Sequence, residues 1–169
     1  MVVLPMRNGR EEDSLSAFED DVDRIMRVMQ SAFEPDFGEA WSRRQVLDAL
    51  TLGNCHYALL TAAGTSPDIG DPAAGFFLSR YGYQEEELLL LAVEPDCRGR
   101  GLGRKLLNLF EAEARARGAR RLLLEMRRGN PAGQLYETVG FKVVGDRKNY
   151  YRAPTGQRFD AVTYDLEVI

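Results

Sequence analysis

From Asp20 onward, Val22, Ile25, Met26, Met29 and Phe33 recur at three- and four-residue spacing, which predicts a helix with one apolar face. Residues 1–17 lack that period and read as a tail or a short first strand. Residues 34–38, with a proline and a glycine, end the helix, and Ser42 with Gln45 has capping-box spacing and opens a short second helix through Leu50. A short strand is expected at 57–60, and residues 63–72 are rich in turn formers. Strands near 74–81 and 86–93 form a hairpin. The clearest helix runs from Leu102 to Arg117: Leu102, Leu106, Leu109 and Phe110 make its buried stripe. Glu111 with Arg115 and Glu113 with Arg117 stand at i,i+4, and Gly118 follows as a stop. Residues 121–126 form a strand with an apolar centre, so a central place in the sheet is expected. A short helix precedes Gly140, and the last strands lie near 141–146 and 160–168. This order predicts one α/β domain over residues 1–169, a mixed sheet with helices on both faces.

Composition narrows the class. The apolar fraction of 44% and charged fraction of 28% suit a soluble globular chain, and no apolar run approaches a membrane span. The first six residues lack the apolar core of a signal peptide, so a cytoplasmic protein is expected. Two cysteines, Cys55 and Cys97, and one histidine, His56, exclude a disulfide framework and a zinc cluster of the usual kind, and no metal is expected. The net charge of -4 is unevenly placed. Glu11, Glu12, Asp13, Glu19, Asp20, Asp21 and Asp23 form an acidic run, whereas the stretch from Arg98 to Arg128 is strongly basic. An acidic chain with one basic segment points to a small phosphorylated ligand rather than to direct binding of nucleic acid or membrane.

The chemistry concentrates where the apolar strand ending at Val93 runs into Arg98-Gly99-Arg100-Gly101-Leu102-Gly103-Arg104 and then into the helix. Free backbone N–H groups at a helix start carry partial positive charge and bind phosphate, and glycines let a ligand approach the backbone. A dinucleotide fingerprint would need a glycine where Arg104 stands, and a P-loop would need Gly-Lys followed by Ser or Thr.

Arg98-Gly99-Arg100-Gly101-Leu102-Gly103 resembles the Q/R-x-x-G-x-G/A motif of the GNAT N-acetyltransferase superfamily. Leu91-Ala92-Val93-Glu94-Pro95, Leu124-Glu125-Met126-Arg127, Leu135-Tyr136-Glu137, Gly140-Phe141, Asn149-Tyr150-Tyr151 and Asp160-Ala161 are similar to the ribosomal-protein alanine N-acetyltransferases, the RimI family. The resemblance runs from about Asp20 to the end of the chain. It implies a mostly antiparallel mixed sheet of about seven strands, splayed in the middle between the strands ending at Val93 and Met126. It implies acetyl-CoA as cosubstrate, with pantetheine along Leu91, Ala92 and Val93 and pyrophosphate on Arg98, Gly99, Arg100, Gly101, Leu102, Gly103 and Arg104. The family also places a cofactor-binding Asn seven residues before its catalytic Tyr; here Asn130 stands six before Tyr136.

The resemblance assigns Glu125 as general base and Tyr136 as general acid. An amine attacks a thioester only when neutral, and about a tenth or less of an α-amine is neutral at pH 7, so a carboxylate that accepts its proton helps. A phenol can serve the departing thiolate, and Glu125 is the single charge inside an otherwise apolar strand. Glu85, Glu86 and Glu87 are competing carboxylates, while Cys97 and His56 are read as bystanders. The implied function is acyl-CoA N-acyltransfer to the N-terminal amine of an Ala-initiated basic ribosomal protein. A small amine such as a polyamine, aminoglycoside or amino acid is the alternative acceptor, and a non-catalytic acyl-CoA-binding module is the alternative class.

Overall fold

The computed structural model describes the backbone of residues 9–168 and the side chains of residues 21–168. Helix α1 (Gly9–Ala32) is followed by a one-turn 3-10 helix (Pro35–Phe37) and α2 (Arg43–Thr51). Strands β1 (Cys55–Leu60), β2 (Gly75–Tyr81) and β3 (Glu85–Val93) lead through a second 3-10 turn (Pro95–Cys97) to α3 (Leu102–Ala116). Then come β4 (Arg121–Arg127), α4 (Gly133–Val139), β5 (Lys142–Arg152) and β6 (Arg158–Glu167). The six strands lie in the order β1-β2-β3-β4-β6-β5. Only β3 and β4 pair in parallel.

Two expectations change. The sheet holds six strands among the described residues rather than about seven. Residues 9–17 are helical, because Leu15, Phe18 and Val22 continue the three- and four-residue spacing backward, so no strand forms there. Residues 1–8 of that expected tail or strand lie outside the described residues.

Apolar stripes set the layers. Val22, Ile25 and Met29 of α1 and Val46 of α2 pack with Phe76, Leu78, Leu90 and Ala92 on one face of the sheet. Leu106, Leu107 and Phe110 of α3 and Tyr136 of α4 pack with Phe77, Leu88, Leu122 and Leu124 on the other. Strand side chains alternate faces, yet Leu88 and Leu90 lie on opposite faces. The register explains it: Leu78 pairs with Leu90 and Ser79 with Leu88, so Leu89 is an inserted bulge residue that swaps the faces of β3.

The capping box forms as the sequence predicts: Ser42 Oγ accepts from the Gln45 N–H, and Gln45 Oε1 accepts from the Ser42 N–H at 2.8 Å. The turn-rich loop after β1 is tied to α1, where Arg24 donates to the carbonyls of Asp68 and Asp71 at 2.6 and 2.8 Å. Of the acidic run, Asp21 pairs with Arg24 and accepts from the Tyr57 hydroxyl, and Asp23 pairs with Arg43. The side chains of Glu11, Glu12, Asp13, Glu19 and Asp20 lie outside the described residues.

Candidate active site

A cleft opens where β3 and β4 part. Their parallel pairing spans Glu85–Leu88 against Arg121–Leu124 and stops there. β3 runs on to Val93 bound only to β2, and β4 runs on to Arg127 bound only to β6. The wedge between them has a volume of about 790 Å³. Beyond Leu88, the β3 edge facing it carries backbone donors and acceptors with no strand opposite, a seat for an extended ligand with amides of its own.

One end of the wedge is the start of α3. Gly99 and Gly101 have φ of 73° and 83°, a left-handed backbone that favours glycine. A Cβ at either would meet no atom within 4 Å, so the space above them is open. The Lys105 N–H makes the first helical bond, to Gly101 at 3.0 Å, so the N–H groups of Leu102, Gly103 and Arg104 precede any intrahelical acceptor. These groups and the positive end of α3 suit an anion. Gly103 answers a different need: a Cβ there would lie 2.8 Å from Leu135 Cδ2, so its absence lets α4 approach α3.

The arginines divide. Arg98 donates to the Val93 carbonyl at 3.1 Å and to the last carbonyl of α1, Ala32, at 3.0 Å, so it clamps the loop to the scaffold. Arg104 donates to Thr138 Oγ1 at 3.1 Å. Arg100 is exposed and stands outside the cleft lining. The remaining sequence-derived site residues, Leu91, Ala92, Val93, Arg98, Gly99, Gly101, Leu102, Gly103, Arg104, Asn130, Glu125 and Tyr136, all line the cleft. Asn130 Oδ1 accepts from the Ala132 N–H at 3.0 Å, which uses its oxygen to fold the turn before α4.

The other end holds acid–base groups. Glu125, with a side chain 16% exposed, lies beside Arg147 Nε at 3.1 Å and accepts from Thr163 Oγ1 at 3.2 Å. Tyr136, 7% exposed, packs its ring against Phe141 and Tyr164. Burial, then Tyr151 and Glu39, push its phenol above the ordinary range, so it keeps its proton at neutral pH. Burial, then Glu125 and Glu39, do the same to Tyr151.

Sequence reasoning missed Glu39, and it named Arg127 without its partner. Glu39, in the loop before α2, lines the cleft with Phe37 and Trp41. Arg127 Nε lies 3.3 Å from Glu39 Oε1, close enough for an ion pair but without hydrogen-bond geometry. The Arg127 guanidinium stacks on Phe37, 3.5 Å from its ring centre, and faces Phe159 at 5.4 Å. Burial raises the Glu39 carboxyl above the usual range, and Arg127 opposes that. The only local sign was a carboxylate two residues before the single tryptophan, which is too common to single out a site.

The competing groups are engaged elsewhere. Glu86 is fully buried against Arg117 and Ser79, Glu85 pairs with Arg121, and Glu87 pairs with Arg80. None of the three lines the cleft. His56 lies on β1 opposite Ser79, away from the cleft, whereas Cys97 is at its rim.

Known proteins are similar to this chain in sequence and in fold. The model of the acetyltransferase (GNAT) domain matches residues 54–143, just over half of the chain. The [ribosomal protein bS18]-alanine N-acetyltransferase of Haemophilus influenzae is 39% identical over 88 residues, 52% of this chain and 60% of that protein. The match thus spans less than two thirds of that relative's length. The crystal structure of the ribosomal-protein-S18-alanine N-acetyltransferase of Escherichia coli superposes with a TM-score of 0.73 at 28% identity, covering 88% of each chain. Arabidopsis thaliana NAA60 in complex with acetyl-CoA shares the fold, with a TM-score of 0.71 at 19% identity over 88% of this chain and 94% of that one. With the family model over residues 54–143 and the glycine loop and splayed strands in place, the chain belongs to the GNAT acetyltransferase family.

Proposed function

We propose that this protein transfers an acetyl group from acetyl-CoA to the N-terminal α-amine of a protein, an Ala-initiated basic ribosomal protein. The observation that carries the reading is one cleft joining an anion-binding helix start to a carboxylate and a buried phenol. Its donors suit the cosubstrate: the N–H groups of Leu102, Gly103 and Arg104 for pyrophosphate, and the β3 edge that no strand covers, at Leu91, Ala92 and Val93, for pantetheine. Acetyl-CoA supplies a thioester whose carbonyl carbon accepts a nucleophile. Glu125 takes the proton of the amine as the N–C bond forms, directly or through water. Tyr136 donates toward the sulfur as the C–S bond breaks. The relatives' names support the acceptor, and a ribosomal acceptor supports a cytoplasmic reaction. Glu34 and Glu39 line the cleft, and an acidic lining suits a basic peptide. An α-amine is also easier to deprotonate than a lysine by about two to three pKa units.

The cosubstrate half is tested at Gly101. Its φ of 83° strains any other residue, and a branched side chain fills the open space above the helix start. Gly101→Val is expected to weaken coenzyme A binding about tenfold, or about 1.4 kcal/mol, by calorimetry. Unchanged affinity would move the pyrophosphate elsewhere.

The acceptor half is tested by comparing rates on an Ala-initiated basic peptide, the same peptide with a blocked N-terminus but free lysines, and spermidine. The free peptide is expected to react fastest, with a rate that falls as salt screens the acidic rim. Acetylation of only the blocked peptide or of spermidine would replace the N-terminal acceptor with a side-chain or small amine.

A further inference from the structure

We propose that Thr163 and Arg147 are positioning residues that hold Glu125 by one oxygen and leave the other to do the work. The inference rests on the reading of Glu125 as the base. Both partners reach the same atom: Thr163 Oγ1 is 3.2 Å and Arg147 Nε is 3.1 Å from Oε1. Among the described residues no side-chain hydrogen bond reaches Oε2, and Glu125 lines the cleft.

The sheet explains why these two residues meet there. Thr163 is the direct cross-strand partner of Glu125 in the β4–β6 register, so the two side chains share a face. Thr163 is β-branched, and its stiff χ1 lets the backbone fix the hydroxyl. On the far side of β6, Gly145 pairs with Thr163. A Cβ at Gly145 would sit 3.8 Å from Thr163, and its lack of a side chain leaves room above the threonine. Arg147, two residues along the same face of β5, reaches over that gap to Glu125.

A glutamate has three side-chain torsions, and freezing them costs rotamer entropy. Two contacts from two strands meet that cost before the acceptor arrives, so Oε2 is already aimed into the cleft when the amine binds. Such preorganisation acts on turnover rather than on affinity. Neither partner touches the reacting atoms; both act through Glu125.

The test is steady-state kinetics with acetyl-CoA and the Ala-initiated basic peptide. Thr163→Val keeps the shape and removes the hydroxyl, and is expected to lower kcat about three- to thirtyfold with KM for either substrate within about twofold. Thr163→Ser is expected to restore kcat to within about twofold. Arg147→Met is expected to lower kcat about two- to fivefold, the range an exposed ion pair allows, with recovery in Arg147→Lys. In a Glu125→Gln background Thr163→Val should cost nothing further, because a residue acting through Glu125 has nothing left to position. A merely structural threonine would give the same additional loss in both backgrounds and overturn the proposal. Wild-type kcat in Thr163→Val, or a loss confined to KM, would overturn it too. If Glu125→Gln is itself fully active, the base reading fails. If Glu125→Gln is inactive and Thr163→Val is silent, only the positioning fails.

Discussion

Replacing Glu125 by Gln is expected to lower kcat about a hundredfold or more while coenzyme A binding stays near its wild-type strength. The amide keeps the length and shape of the side chain and can still accept from Thr163, so packing and register change little. What is lost is the capacity to take a proton from the amine. The cosubstrate contacts proposed at Leu102, Gly103, Arg104 and the β3 edge lie apart from that group, which is why binding and turnover should separate. The strongest rival is Glu39, a second carboxylate in the same cleft whose field reaches Tyr151 and Tyr136. It differs in kind, being paired with Arg127, whose guanidinium stacks on Phe37, so its proton traffic is tied to a buried cation. Measuring kcat for Glu125→Gln and Glu39→Gln side by side decides between them. A nearly active Glu125→Gln with an inactive Glu39→Gln would move the base to the loop before α2.

The parts of this site that could be read from the sequence are those built by neighbours along the chain. The loop from Arg98 to Arg104 announces itself because strand, glycines and helix start are consecutive, and the α3 stripe repeats within one element. What escaped depends on residues far apart or on patterns that fail locally. Glu39 and Arg127 meet across 88 positions, and the segment that holds Arg127 says nothing of Glu39. The Leu89 bulge falls inside Leu88-Leu89-Leu90-Leu91, where every residue is apolar, so no alternation marks the change of face. β5 was expected to end near Asp146 but runs to Arg152. It is an edge strand exposed on both sides and carries register shifts, so it lacks the period-two signal of a half-buried strand. The splay itself came from family resemblance, since nothing in the apolar run up to Val93 says that pairing stops at Leu88.

Removing the Glu86 carboxylate is expected to cost about 3–5 kcal/mol of stability, although Glu86 never touches the cleft. The residue is fully buried and accepts three bonds: from Ser79 Oγ at 2.6 Å and from Arg117 Nη2 and Nε at 2.6 and 3.0 Å. It sits in the short stretch where β3 and β4 still pair, just below the point where they part. Arg117 is the C-cap of α3, so this ion pair pins one end of the helix whose other end forms the anion seat. Glu86→Ala removes the closest partner of the guanidinium, which keeps only the longer contact to Glu113 at 3.4 Å, and it leaves the serine hydroxyl unpaired beside the core; breaking such a pair from one side is far more costly than the pair is worth. For a chain of this size the loss corresponds to a Tm lower by roughly 6–20 °C. The double change Glu86→Leu with Arg117→Leu removes both charges and should recover most of the loss, because apolar replacement of a whole buried pair is often neutral. Thermal melts of the two variants check this, and calorimetry below the melt should give coenzyme A affinity per folded molecule close to wild type. A single variant as stable as wild type would show that water enters the site and replaces the carboxylate. A stable variant with weakened coenzyme A binding would instead mean that the pinned end of α3 sets the aim of its other end.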